Sequence, residues 1–163
     1  MSIIARPARP QDRPALVRFM GALQDFERTL HPDSRLPGAE MAEAHTAYLL
    51  EEAETPGGLI LIAEDEGSGR AVGMLIAYEI AQEGIYLTPA YDRAGWVSDL
   101  FIEEAARGAG ALDALLEATQ EHFRARGVKR LLLSYLAGNE AAARAYDKRG
   151  FAPYETVLAK AID

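Results

Sequence analysis

The chain contains no cysteine. That absence excludes disulfides, thiolate metal sites and any mechanism that passes through a cysteinyl intermediate. Positive charge is also short, with 17 Lys and Arg against 25 Asp and Glu and a formal net charge of −8. Proteins that bind nucleic acid broadly carry a basic surface that neutralises phosphates, so no nucleic-acid partner is expected. An acidic balance is compatible with a cationic amine substrate and equally with plain solubility. Long apolar runs are missing too. Gly57 to Ala63 is among the longest and falls well below the roughly 18 residues needed to span a bilayer, and the N-terminal MSIIARPARPQDR has no apolar signal core. No membrane partner is expected, and the expected location is the cytoplasm. The histidines, His31, His45 and His122, stand apart without ligand spacing, so no metal site is expected either.

With 163 residues, 49% of them apolar, the chain suits a single domain spanning 1–163 with one substantial core. Ser2 to Arg6 reads as a short strand. Asp12 is placed to cap a helix whose Leu16, Phe19, Met20, Leu23 and Phe26 repeat at helical spacing. A polar, proline-containing stretch from His31 to Gly38 leads into a second helix over Ala39 to Ala53, with Met41, Ala44, Tyr48 and Leu49 on one side. Leu59 to Glu64 and Arg70 to Ile80 flank the turn-rich DEGSG and predict an antiparallel hairpin. Ala81 to Ala94 gives no clear pattern, and its position between two strands makes it a candidate border of a binding site. Gly95 to Ile102 predicts another strand, Gly127 stops the helix that follows it, and Lys129 to Leu136, Asn139 to Arg149 and Phe151 to Leu158 read as strand, helix and strand. The pattern implies an α/β fold, a mixed sheet with helices on both faces, a parallel pair at its centre and antiparallel edges.

Residues 105 to 118, AARGAGALDALLEA, set one arginine and two glycines ahead of an amphipathic helix carrying Leu112, Leu115, Leu116, Thr119 and Phe123. The first turn of a helix has unpaired N–H groups and a positive dipole end, so an anion there gains hydrogen bonds and a favourable field together. Glycines clear away side chains that would hold a phosphate off, and the Arg107 guanidinium adds a forked donor. The same composition also serves as an ordinary strand-to-helix turn. The segment is neither a Walker loop nor a GxGxxG turn, and alone it leaves both readings open.

Residues 138 to 154, GNEAAARAYDKRGFAPY, decide between them. Asn139, Ala142 and Tyr146 are spaced by three and four residues and fall close to one helix face, and Gly150 and Phe151 end that helix. Here the chain resembles the GNAT superfamily of acyl-CoA-dependent N-acyltransferases, whose late motif NxxAxxxYxxxGF is met at every position. The superfamily's earlier RxxGxG/A motif aligns with Arg107, Gly110 and Leu112, in the expected order. The last of these departs from the pattern, since a small residue is expected where Leu112 stands.

The resemblance implies a GNAT fold, with a mixed sheet of about six or seven strands flanked by about four helices. It also implies acetyl-CoA as acyl donor and a primary amine as acceptor, either a small cationic molecule or a protein amino group. The pantetheine arm is expected along Leu100, Phe101 and Ile102, chiefly on the amides of Leu100 and Ile102. The pyrophosphate is expected on the backbone of Arg107, Gly108, Ala109, Gly110, Ala111 and Leu112. Leu100 and Ile102 read equally as core packing. Asn139 matches a residue that contacts the cofactor, and read alone it is a good helix cap. Tyr146 matches the residue that protonates the departing thiolate, and read alone it is a half-buried aromatic on the sheet.

Alternation along the strand puts Asp99 on one face with Val97 and Phe101, where its carboxylate could orient a water that takes the ammonium proton. Glu27, in QDFER, is similar to an acidic position lining the acceptor site of some polyamine acetyltransferases, and read alone it is a solvated helix charge. With the acidic balance it tilts the acceptor toward a small polyamine-like or amino compound. The expected reaction is direct transfer through a ternary complex. The competing readings are a catalytically silent module that senses an acyl-CoA, which Leu112 motivates, and an interaction domain with no such site. The oligomeric state is left open, a homodimer among the options.

Overall fold

Runs rich in Ile, Leu and Val build the sheet, because branched side chains pack well on a pleated surface. The computed structural model describes residues 2–81 and 86–162. Its strands are β1 (Ile3–Pro7), β2 (Leu59–Asp65), β3 (Arg70–Ala81), β4 (Arg93–Ile102) and β5 (Leu131–Leu133), in the spatial order β1-β2-β3-β4-β5. The first three pairings are antiparallel, with the expected DEGSG hairpin joining β2 to β3, and β4 runs parallel to β5. A parallel pair needs a crossover, which α3 (Ala111–Ala125) supplies.

Side chains alternate between two buried layers. Leu61, Ala63, Leu75, Ala77, Val97 and Ile102 face Ala111, Leu115, Leu116 and Phe123 of α3. Ile62, Met74 and Ile76 face Leu16, Phe19 and Met20 of α1 (Arg13–Leu30) and Ala42 and Leu49 of α2 (Gly38–Glu52). The two long helices meet so closely that a Cβ on Gly38 would lie 2.3 Å from the carbonyl oxygen of Gly21. The Gly38 amide also donates to Asp25 Oδ1 at 2.6 Å, tying the start of α2 to α1. The fourth helix, α4 (Glu140–Asp147), is short, and Gly150, at φ +80°, turns the chain out of it.

Several expectations are corrected. Phe26 is 42% exposed, and Gln24 takes the inward place, because this end of α1 packs on the 31–37 loop, where the Gln24 amide donates to the Leu36 carbonyl. On α2 the buried stripe is Ala42, Thr46 and Leu49, while Tyr48 faces outward. Asp12 does not cap α1 with its side chain. Its carboxylate accepts from the Arg9 amide at 2.7 Å and from Nη1 and Nη2 of Arg6 at 2.7 and 3.0 Å.

The described residues hold five strands, and the parallel pair lies at an edge. The stretch expected as a final strand, Phe151 to Leu158, has no partner alongside β5, and without ladder hydrogen bonds it takes no strand structure. Its Val157 and Leu158 are almost fully exposed. No helix among the described residues is long and apolar enough to cross a membrane.

The crossover helix and β5 both crowd Gly95. A Cβ there would sit 2.6 Å from both Leu131 Cδ2 and the Phe123 ring. Overpacking of this kind costs about 1–3 kcal/mol. Gly95→Ala is therefore expected to lower the melting temperature by several degrees in a thermal unfolding scan, and an unchanged transition would show that β5 and α3 yield freely.

Candidate active site at the split between the parallel strands

The pairing of β4 with β5 covers only Gly95–Val97 against Leu131–Leu133, although β4 continues to Ile102. From Ser98 onward one edge of β4 is open, with no strand paired to it among the described residues. At the same point the pairing with β3 slips: Ile76 lies opposite Asp99 and Ala77 opposite Val97, so Ser98 is an extra residue. Its hydroxyl donates to the Ile76 carbonyl at 3.2 Å. A bulge of one residue reverses the facing of everything beyond it.

Two consequences follow. Val97 lies with the α3 layer and Phe101 with the α1–α2 layer, so the expectation that Asp99 shares a face with both is corrected. Asp99 shares the α1–α2 face with Phe101. The amides shift in phase as well. The Glu103 amide donates to the Val72 carbonyl at 2.9 Å, toward β3. Strand amides alternate in direction, so counting back from Glu103 turns those of Ile102 and Leu100 toward the open edge, and that of Phe101 toward β3. The side chains of Leu100 and Ile102 pack in the α3 layer, so core packing and an outward-facing backbone coexist there.

Beyond β4 a 3-10 turn (Glu104–Ala106) leads into the Arg/Gly segment. Gly108 and Gly110 have φ of +78° and +90°, and Gly110 is the residue before the first turn of α3. A Cβ on either would meet nothing within 4 Å. Left-handed backbone therefore favours glycine at both, and the space above them is open. No side chain caps α3, so its first-turn amides are free of that competitor. Arg107 Nε donates to the Ile102 carbonyl at 3.2 Å, which folds its side chain back along the open edge. Leu112 packs against the α3-side core, so its bulk points away from the turn.

Asn139 caps α4, its Oδ1 accepting from the Ala142 amide at 3.1 Å. One turn on, the Tyr146 ring lies 6.1 Å from that of Tyr135 and meets Phe151 edge-on at 5.8 Å. Tyr135 stands two residues past the last paired residue of β5, so this aromatic group borders the split. Burial raises the Tyr146 phenol above its usual value, and the group stays protonated across the neutral range.

The α1–α2 face carries the charges. Asp99 is pushed above the ordinary aspartate range by burial, against the opposing pull of His45, the Ser98 hydroxyl and Arg35. Glu27 is half-buried, and burial raises it despite an ion pair with Arg35. It is thus not a solvated helix charge. Tyr78, raised by burial, feels Tyr48, Glu52 and Asp99. Sequence reasoning singled out Asp99 and Glu27 here and missed Gln24, Arg35, His45, Tyr78 and Tyr135. Only the ring of His45 stacked on Tyr48, at i and i+3 of one helix, had a local signal. Ala81 and Arg93 lie in strands, but residues 82–85 fall outside the described residues, so the expected border role of the 81–94 stretch lies partly there. His31 and His122 hydrogen-bond to the carbonyls of Ala137 and Gly57, and no acid or histidine cluster among the described residues would hold a metal ion.

A model of the Acetyltransferase (GNAT) family matches residues 22–151, and the chain belongs to that family. Solved structures agree on the fold. A tetramutant of a Bacillus halodurans protein is 19% identical over 98% of this chain and 99% of its own, with a TM-score of 0.83. Glucosamine-6-phosphate N-acetyltransferase from Arabidopsis thaliana is 17% identical over the whole of both chains, with a TM-score of 0.69. An aminoglycoside N-acetyltransferase in complex with CoA is 15% identical over 98% of this chain and 94% of its own, with a TM-score of 0.70. No curated protein matches the sequence significantly.

The partly buried position of Asp99 gives a pH signature. The folded chain holds its proton more tightly than the unfolded chain, so the linked stability is present in full below the ordinary value of 3.8 and is lost as pH rises through the higher folded value. Asp99→Asn removes that loss. The melting temperature of the variant relative to the parent is expected to rise between pH 3.8 and neutrality. A difference that stays flat with pH would show that Asp99 titrates as an exposed aspartate.

Proposed function

We propose that the chain is an acetyl-CoA-dependent N-acetyltransferase that moves the acetyl group directly to a primary amine within a ternary complex. One observation carries this reading: the open edge of β4 runs straight into a left-handed, sterically empty Gly108–Gly110 turn at the start of a long helix. An extended arm that hydrogen-bonds to the Leu100 and Ile102 amides as an added strand would lead its diphosphate onto Arg107, Gly108, Ala109, Gly110, Ala111 and Leu112. Asn139 and Tyr146 belong to α4, which follows β5, the strand on the other side of the split. The relative crystallised with CoA supports the choice of carrier.

The chemistry asks for three services. The amine must lose its ammonium proton, the tetrahedral oxyanion must be stabilised, and the thiolate must be protonated as the carbon–sulfur bond breaks. Tyr146 supplies the last, since a desolvated phenol keeps its proton until a thiolate beside it develops charge. Asp99 faces the acceptor side, and its raised pKa makes it a stronger base than an exposed aspartate, able to take the ammonium proton directly or through a water. Main-chain N–H groups at the split are the candidates for the oxyanion. With Leu112 turned into the core, the motive for a silent acyl-CoA sensor is weaker.

Tyr146→Phe tests the assignment. Turnover is expected to fall roughly a hundredfold or more, with acetyl-CoA affinity by calorimetry near that of the parent. No acetyl-CoA uptake by the folded parent would remove the whole reading, and uptake without turnover on any amine would leave only a sensor.

A further inference from the structure

The face beside Asp99 is not simply acidic. Arg35 enters it from the loop between α1 and α2, and one corner of its guanidinium is used twice. Nη1 donates to Gln24 Oε1 at 3.2 Å and also to Glu27 Oε2. Gln24 is itself buried and bound to the loop backbone through Leu36, so this corner is held from two sides. A guanidinium has five N–H donors, and the three on Nε and Nη2 take no partner among the described residues. The side chain is 30% exposed, so the group is not sealed in the core.

Arg13, Arg70, Arg93 and Arg144 also meet an acid through one nitrogen but are more exposed than Arg35, whereas two arginines set a fork on an acid. Arg149 sets Nε and Nη2 against both oxygens of Asp113, at 2.7 Å each. Arg6 spends Nη1 and Nη2 on Asp12 and Nε on Glu64. Arg35 instead gives its acid a single corner and keeps its forked Nε–Nη2 edge unused. That edge fits the two oxygens of a carboxylate or a phosphate. Arg35 already compensates Glu27, which leaves Asp99 as the acid available to an incoming amine.

The geometry points to an acceptor that carries a carboxylate or phosphate alongside its primary amine, with the anion on the Nε–Nη2 edge of Arg35 and the amine toward Asp99. This rests on the acyltransfer reading and narrows it from any primary amine to an amine with an attached anion.

Initial rates with acetyl-CoA over matched amines test it. An ω-amino carboxylate is compared with its amide, and an aminoalkyl phosphate with the corresponding amino alcohol. The parent is expected to favour the anionic member of at least one pair by about tenfold or more in kcat/KM, as a charged hydrogen-bonded contact warrants. Arg35→Gln and Arg35→Lys are expected to erase that preference, raising KM for the anionic member well beyond any change for its uncharged partner. Lysine keeps the charge and a partner for Glu27 but has no fork, so the Arg35→Lys variant separates recognition from folding, checked by its melting curve. Equal or better turnover of uncharged amines or polyamines by the parent overturns the assignment and leaves acyltransfer standing, as does an equal loss on both members of each pair in the variants. Acetyl-CoA binding without turnover of any amine removes the acyltransfer reading, and this assignment with it.

Discussion

The site depends on a single extra residue in one strand. At Ser98 the ladder between β3 and β4 gains a residue on one side only, and at the same place the pairing of β4 with β5 ends. Side-chain facing in a strand has period two, so the insertion reverses the phase of all that follows. With an unbroken ladder, Asp99 would share the α3 layer with Val97, a carboxylate inside an apolar core, and the outward amides would fall on other residues. With the bulge, Asp99 joins the face of α1 and α2, Leu100 and Ile102 take over the α3 layer, and their amides turn to the open edge. One local irregularity thus assigns acid to one side of the sheet and backbone donors to its rim.

The two halves of the site are built from different materials. The half toward α3 is main chain: strand amides, two left-handed glycines and a helix start without a side-chain cap. Such donors are fixed by the fold and suit a carrier of constant structure. The half toward α1 and α2 is side chain, drawn from four segments, with Gln24 and Glu27 on α1, Arg35 in the loop, His45 on α2 and Asp99 on β4. An acyltransferase that keeps its donor and varies its acceptor would carry its specificity there, and Arg35, held at one corner and open along the other edge, is the most directional element in that half.

Much of this was legible in local pattern. The glycine-flanked strand Gly95–Ile102, the hairpin, the helix over residues 111–125 and its stop at Gly127, and the caps at Asn139 and Gly150 all follow from spacing and turn chemistry. The bulge was not legible, because period-two reading assumes an unbroken strand, and the misplaced Val97–Asp99 face came directly from that assumption. The partnership of Arg35 with Glu27 and Gln24 was hidden for another reason: it joins residues across a loop whose path no periodicity describes. Phe26 was misassigned because helical spacing does not say where a helix runs past the sheet it covers. The segment from Phe151 has strand composition, but composition cannot supply the neighbour that a strand requires.

Leu112 shows how a departure from a family pattern can be absorbed. A small residue at that place keeps the helix start clear when its Cβ points at the ligand. Here the clearance comes from Gly108 and Gly110, whose positive φ values carry the chain through the turn with open space above both. The helix begins at Ala111, and Leu112 enters it already rotated toward Leu115 and the α3-side core. Its side chain then adds apolar burial to the joint between β4 and α3, while its amide stays in the first turn, where the helix dipole is strongest. The departure at Leu112 therefore leaves the turn's backbone clear and costs no core packing.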